Sequence, residues 1–147
     1  VIRKVQGFTA AMHQHLGVEQ AHLERLITHT VFSLEGGAAA AGRLITRGAT
    51  AVICGSDLMA LGAIRQARAM GRSVPGDFSV VGYDDSTMMA FTDPPLTTIR
   101  QAVDAMGDAA VRALLDDIAG EGPPCAEYVF RPELGVRGST GAAPPRG

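Results

Sequence analysis

The sequence has little cysteine and no excess of positive charge. Its 147 residues include only two cysteines, Cys54 in an apolar run and Cys125 in a proline-rich stretch, so we predict neither a disulfide framework nor a set of metal ligands. Thirteen lysines and arginines stand against fifteen acidic residues, a formal net charge of -2. This balance excludes a broad basic surface that would hold a phosphate backbone. The low cysteine content is typical of proteins in a reducing cytoplasm.

The sequence also lacks a long apolar run. Hydrophobic residues make up 46% of the chain, but charged residues, at 19%, interrupt them too often for a membrane span. The start at Val1 has no charged region followed by an apolar stretch, so no secretory signal is expected. The length suits about one domain. We therefore expect a soluble globular protein with no membrane partner.

The spacing of apolar residues predicts alternating helices and strands. In chain order they are a helix from residue 5 to Gly17, a strand over 26–33, a helix over 38–46, a strand over 50–54, a helix from Ser56 to Gly71, a strand over 78–82 and a helix over 104–119. The last helix is predicted to face inward through Met106, Ala110, Leu114 and Ile118. Strand pieces are predicted at 128–130 and 134–136, and a disordered tail at 141–147. Parallel strands need helical crossovers, so the fold class is α/β, a parallel sheet flanked by helices.

Polar residues follow two of the predicted strands. Ser56 and Asp57 come after the strand that ends at Cys54, and Asp84 comes with Asp85 after the strand that ends at Gly82. Ligands of open parallel sheets bind beyond the carboxyl ends of the strands. A carboxylate can accept two hydroxyl groups while an aromatic ring, such as that of Phe32, stacks on a sugar. These residues therefore predict a cleft for a carbohydrate-like molecule.

Each of these residues also has a purely structural interpretation. Ser56 is a favoured helix cap, Asp57 suits the positive end of a helix dipole, and aspartates are common in turns. No nucleophile, oxyanion donor or metal set accompanies the two aspartates, so we expect no enzyme, no cofactor and no metal site. The pair Gly36 and Gly37 lacks the sequence of a phosphate-binding loop, and close helix packing explains it better.

Four segments in order resemble the LacI/GalR family of bacterial transcriptional regulators. They span residues 50–63, 74–85, 94–101 and 131–140, and include TAVICGSDLMALGA, VPGDFSVVGYDD and PPLTTIRQ. The resemblance runs from about Gly7 to Thr140. It implies the second half of an effector-binding core, that is, one lobe plus the crossover elements of a two-lobe fold like that of type I periplasmic binding proteins. Residues 1–140 would be a partial sensor domain.

The resemblance further implies a sensor for a sugar or nucleoside effector that changes the affinity of a helix-turn-helix domain for operator DNA. That DNA-binding domain is absent from this chain. By the same resemblance the protein would be a homodimer, and its low cysteine content places it in the cytoplasm. The alternative is a periplasmic sugar-binding protein of a transport system. The implied ligand residues are Asp84, Ser56 in place of a usual Asn, Asp57, Phe32 as the stacking aromatic, and either Lys4 or Arg3 in place of a usual Arg.

Overall fold

The chain folds around a four-stranded sheet. The computed structural model describes residues 2–122 and 127–143. The strands are β1 (Ala51–Ile53), β2 (Ser79–Asp84), β3 (Thr97–Arg100) and β4 (Glu133–Gly135), and they lie side by side in that order. The first three are parallel, and β4 is antiparallel to β3. The α/β class is confirmed, with one antiparallel strand added at the edge of the parallel sheet.

Five α-helices and one short 3-10 helix accompany the strands in the described part of the chain. The α-helices are α1 (Ile2–Leu16), α2 (Gln20–Leu26), α3 (Leu34–Thr46), α4 (Asp57–Ala69) and α5 (Val103–Ala119), and the 3-10 helix spans Thr87–Ala90. The predicted helices at 5–17, 38–46, 56–71 and 104–119 and the predicted strands at 50–54 and 78–82 are thus confirmed, with shifted ends. The described helices include none that is long and apolar enough to cross a membrane.

The hydrophobic core lies between α4 and the sheet. Ala60, Ala63 and Ala67 recur on one face of α4 and are fully buried. They pack against Phe78 and Val80, at the start of β2, and small side chains at these positions bring the helix close to the strands. The core therefore fixes α4, and with it the loop that precedes α4, against the sheet.

Glycines let α3 and α4 approach each other closely. A β-carbon on Gly62 of α4 would overlap the carbonyl oxygen of Leu34, and one on Gly37 of α3 would overlap that of Met59. The close helix packing predicted for the glycine pair is confirmed for Gly37. This contact sets the position of α3 and of the segment that leads into it.

The segment after β4 joins β2 to β3. Ser139 is fully buried, and its hydroxyl donates to the Val80 carbonyl oxygen at 2.6 Å and accepts from the Thr97 amide at 2.8 Å. The Val80 amide in turn donates to the Ser139 carbonyl oxygen at 2.8 Å. Further on, the Gly141 amide donates to the Ser79 hydroxyl. Of the tail predicted at 141–147, residues 144–147 lie outside the described residues.

The strand predicted over 26–33 does not form. Leu26 ends α2, Ile27 is extended, and the Val31 carbonyl oxygen accepts from the Ser33 amide in a tight turn before α3. Phe32, expected at the end of a strand, therefore lies in a loop. A strand needs a neighbour for its amides and carbonyls, and no described strand lies beside this segment. Its β-branched composition was compatible with a strand but could not supply a partner.

The apolar face of α5 does not point inward within the described chain. None of its residues is buried, and Leu114 and Ile118 are 60% and 74% exposed. The spacing correctly predicts a helix with an apolar stripe, but the prediction of an inward face was wrong, because no described part of the chain covers this stripe. Residues 128–130, predicted as a strand piece, are irregular instead. The strand in this region is β4, which begins after Pro132.

The close approach of α3 and α4 gives a direct stability prediction. We expect Gly62→Ala to lower the free energy of unfolding by about 2 kcal/mol, because the new methyl group must push a backbone carbonyl aside. The measurement is urea unfolding followed by circular dichroism. Gly107→Ala is the control: nothing lies within 4 Å of a β-carbon there, so better helix propensity should leave stability equal or slightly higher. Equal stability losses in both variants would contradict the packing described above.

Candidate functional site

The carboxyl ends of the three parallel strands place three polar segments at one edge of the sheet. Ser56 and Asp57 follow β1, Asp84 and Asp85 stand at the end of β2, and Gln101 follows β3. The segment after β2 is hydrogen-bonded to the other two. The Ser86 amide, which directly follows Asp85, donates to Asp57 at 2.7 Å, and the Gln101 side chain donates to Asp84 at 2.7 Å. The edge predicted from the sequence therefore brings these residues together.

Ser56 begins α4 as a helix cap. Its backbone is extended, and its hydroxyl accepts a hydrogen bond from the Met59 amide at 3.4 Å. The preceding residue, Gly55, lies against Phe32, because a β-carbon on Gly55 would stand 3.0 Å from the Phe32 ring. Ser56 thus directly follows the residue that lies against the Phe32 ring.

Asp57 is buried and fully engaged within the protein. It is 3% exposed; one carboxylate oxygen accepts from the Ser86 amide, and the other accepts from the Thr98 hydroxyl at 2.6 Å. Burying a carboxylate requires such donors. Both oxygens of Asp57 accept hydrogen bonds from other residues of the chain. Asp57 therefore holds the neighbouring segments of the site in place.

Asp84 and Asp85 differ sharply although they are adjacent. Asp84 is exposed, and Gln101 Nε2 donates to one of its oxygens. The Asp85 side chain is only 7% exposed and pairs with Arg100 at 2.6 Å and Arg137 at 2.7 Å. Burial favours the neutral form of the Asp85 carboxyl, but the hydrogen bonds and charges of the two arginines outweigh it and lower its pKa below the ordinary value. Asp84 therefore faces the solvent, and Asp85 anchors the turn.

The choice between Lys4 and Arg3 is informed by their positions. Lys4 Nζ donates to the Gly55 carbonyl oxygen at 3.0 Å and lies 3.2 Å from the centre of the Tyr83 ring. Burial lowers the pKa of Lys4, and the charge of Asp84 opposes that shift. Arg3 instead forms an exposed ion pair with Glu127 at 2.5 Å. Lys4 is thus the basic residue that contacts the segments after β1 and within β2.

Phe32 and Tyr83 provide aromatic surface beside these groups. Phe32 is 53% exposed, which leaves ring area free although it lies against Gly55. Tyr83 is half-buried beneath the Lys4 ammonium group. A solvent-facing carboxylate, an ammonium group and an aromatic ring can together bind a neutral molecule with several hydroxyl groups. Cys54 adds no nucleophile, because burial and then the charge of Asp57 raise the pKa of its thiol to about 12.

Residue-level reasoning missed Gln101, Arg100 and Tyr83 as parts of this edge. Gln101 and Arg100 end the run PPLTTIRQ quoted above, which contains β3 although no strand is predicted there from the spacing of apolar residues. The available signal for β3 was the run of three β-branched residues over 97–99. Tyr83 lies in the quoted segment VPGDFSVVGYDD, but its contact with Lys4 becomes visible only in the structure.

With this geometry in place, comparisons with known proteins identify the family. The sequence model of the periplasmic binding protein-like domain matches residues 3–140. The HTH-type transcriptional regulator MalR of Streptomyces coelicolor is 57% identical over 145 residues, which are 98% of this chain and 42% of the relative. The chain belongs to the periplasmic binding protein-like domain family, and the resemblance to LacI/GalR regulators is confirmed.

Solved structures agree with this assignment. The transcriptional regulator CelR in complex with cellobiose matches with a TM-score of 0.86 and 38% identity, over 94% of this chain and 42% of that one. A LacI family transcriptional regulator from Enterococcus faecium with bound ribose matches with a TM-score of 0.69 and 33% identity, over 80% of this chain and 43% of that one. The chain thus spans about two fifths of the length of this relative and of these two structures.

The engagement of Asp57 predicts a graded loss of stability. Asp57→Ala leaves the Ser86 amide and the Thr98 hydroxyl without their acceptor, so we expect the free energy of unfolding to fall by about 3 kcal/mol. Asp57→Asn should lose clearly less, because its amide can accept from Ser86 and donate to Thr98. Urea unfolding of both variants measures the difference. Equal and small losses would show that the two contacts contribute little.

The pairing of Asp85 predicts a stability contribution that depends on pH. Its pKa is depressed in the folded chain, so the contribution is present above the unfolded pKa, about 3.9, and is lost as the pH falls through the lower folded pKa. We expect Asp85→Asn to cost about 2 kcal/mol at neutral pH and much less in strong acid. Urea unfolding across this pH range measures it. The exposed Asp108→Asn is the control, and a constant difference between wild type and Asp85→Asn would contradict the pairing.

Proposed function

We propose that this chain is the effector-binding part of a helix-turn-helix transcriptional regulator, and that its effector is a sugar. The observation that carries the proposal is the solvent-facing carboxylate of Asp84, with one oxygen oriented by Gln101 and the Phe32 and Tyr83 rings on neighbouring segments. A bound sugar would donate hydroxyl hydrogens to this carboxylate and stack on the exposed face of Phe32.

Lys4 and Ser56 complete the proposed contacts. The Lys4 ammonium group has donors left after its bond to Gly55 and can reach a sugar oxygen, whereas a lysine does not reproduce the two-pronged contact of an arginine. The Ser56 hydroxyl can still donate while it accepts from Met59. Asp57 and Arg3, both candidates from the sequence, act here as supports within the protein, through Thr98 and Glu127 respectively.

The remainder of the proposed protein lies outside this chain. A second lobe would close on the sugar, a DNA-binding domain would contact operator DNA, and two copies would assemble as a homodimer in the cytoplasm. The regulator is preferred over a sugar-binding protein of a transport system, because the relatives at 57% and 38% identity are both HTH-type transcriptional regulators. We propose no catalytic activity and no cofactor for this site.

Cellobiose and ribose are the first effectors to test, because each is bound in a similar solved structure, and maltose adds a second glucose disaccharide. We expect at least one of the three to bind the full-length protein in a calorimetric titration. Asp84→Ala should weaken that binding roughly 100-fold, corresponding to about 3 kcal/mol for hydrogen bonds to a charged acceptor.

The matched control is Asp108→Ala, an exposed aspartate on α5 that should leave sugar affinity unchanged. Operator affinity, measured by fluorescence anisotropy on labelled DNA from upstream of the gene, should change when the sugar is added. Retained sugar binding by Asp84→Ala would contradict the assigned carboxylate. Absence of any DNA response would contradict the regulator.

A further inference from the structure

Gln101 lies where the sheet ends and the chain turns toward α5. It directly follows Arg100, the last residue of β3, and its carbonyl oxygen accepts from the amide of Val103, the first residue of α5, at 2.9 Å. Its side-chain amide donates to Asp84 Oδ1 at 2.7 Å. One residue thus connects the solvent-facing carboxylate at the end of β2 to the start of α5.

The backbone at the end of β2 needs such a support. Asp84 has a φ of 115° and Asp85 a φ of 55°, both in the left-handed region that favours glycine. Such a backbone conformation is strained in an aspartate and persists only where its surroundings fix it. The fixing contacts from β3 and its end are the Gln101 and Arg100 side chains and the Thr98 hydroxyl, which accepts from the Asp85 amide at 3.4 Å.

Of these contacts, only that of Gln101 reaches the carboxylate that faces the solvent. Arg100 binds Asp85, whose side chain is nearly buried, and Thr98 binds a backbone amide. In addition, α5 has no buried residue within the described chain. At its N-terminal end, α5 follows β3 through the short turn at Gln101, so a movement of Gln101 displaces the first turn of the helix.

We propose that Gln101 is the positioning residue that couples occupancy of Asp84 to the position of α5, and through α5 to the DNA response. The inference rests on the proposed function. A sugar hydroxyl that donates to Asp84 shares the carboxylate with the Gln101 amide, so the strength of the Gln101 bond differs between the free and the occupied site. A difference of this kind between two states is what coupling between distant sites requires.

The test uses Gln101→Met and Gln101→Glu in the full-length protein. Methionine keeps the length of the side chain but removes the donor, and glutamate places a second carboxylate against Asp84. The probes are cellobiose, maltose and ribose. The two readouts are the Kd of the sugar from calorimetry, and the ratio of operator affinities without sugar and with saturating sugar from fluorescence anisotropy.

We expect Gln101→Met to change the sugar Kd by less than about tenfold and to reduce the DNA response ratio by tenfold or more, within the usual range of coupling energies. Gln101→Glu should weaken sugar binding further and also lose the response. A merely structural role would lower the urea midpoint, while the response at saturating sugar stayed intact. Gln14→Met, on the exposed face of α1, is the control and should leave both readouts unchanged.

Each result decides between the two proposals. If the wild type binds none of the three sugars or shows no DNA response, the proposed function is wrong and the role of Gln101 is wrong with it. If the wild type binds and responds, and both Gln101 variants respond as fully as the wild type at saturating sugar, only the role of Gln101 is wrong. A lost response with sugar binding retained in Gln101→Met supports the coupling.

Discussion

The buried carboxylate of Asp57 is the interaction on which the rest of the sheet edge depends. Its removal from water is compensated because donors from two other segments, the Ser86 amide and the Thr98 hydroxyl, point at its two oxygens. The residue therefore ties the start of α4 to β3 and to the turn after β2. The solvent-facing carboxylate of Asp84 and the paired carboxylate of Asp85 lie in that turn, and the capping Ser56 directly precedes Asp57. The buried carboxylate of Asp57 thus fixes the position of the turn that carries the solvent-facing carboxylate of Asp84.

Local chemistry in the sequence was sufficient to predict a large part of this arrangement. The cap at Ser56, the small residues of α4 and the run of β-branched residues before Gly82 depend on near neighbours in the chain, so their helix and strand could be placed without a structure. The meeting of the segments after β1 and β2 followed from one general property of parallel sheets. The different roles of Asp84 and Asp85 could not be predicted in this way, because they depend on Arg100 and Arg137, which pair with Asp85.

The incorrect predictions share one cause. The structure of these segments depends on contacts with residues that are distant in the sequence. The segment 26–33 has the composition of a strand, yet a strand forms only where a neighbour completes its hydrogen bonds. The opposite error occurred at β3, where prolines before Leu96 concealed a strand that β2 and β4 pair with on both sides. Amphipathic spacing showed that α5 has an apolar face but could not show what would cover it. The contact of Lys4 with Tyr83 was equally hidden, since 79 positions separate the two residues.

Ser139 has a consequence for how the chain acquires its shape during synthesis. Its hydroxyl and backbone connect β2 to β3 from a position 59 residues beyond the first of these contacts. The ribosome releases β2 and β3 well before it releases Ser139, so the nascent lobe lacks the hydrogen bonds of Ser139 to both strands until this segment emerges. A shortened transcript or a nonsense change just before this point would thus yield a chain that has the three paired parallel strands but lacks the buried serine that hydrogen-bonds to β2 and β3.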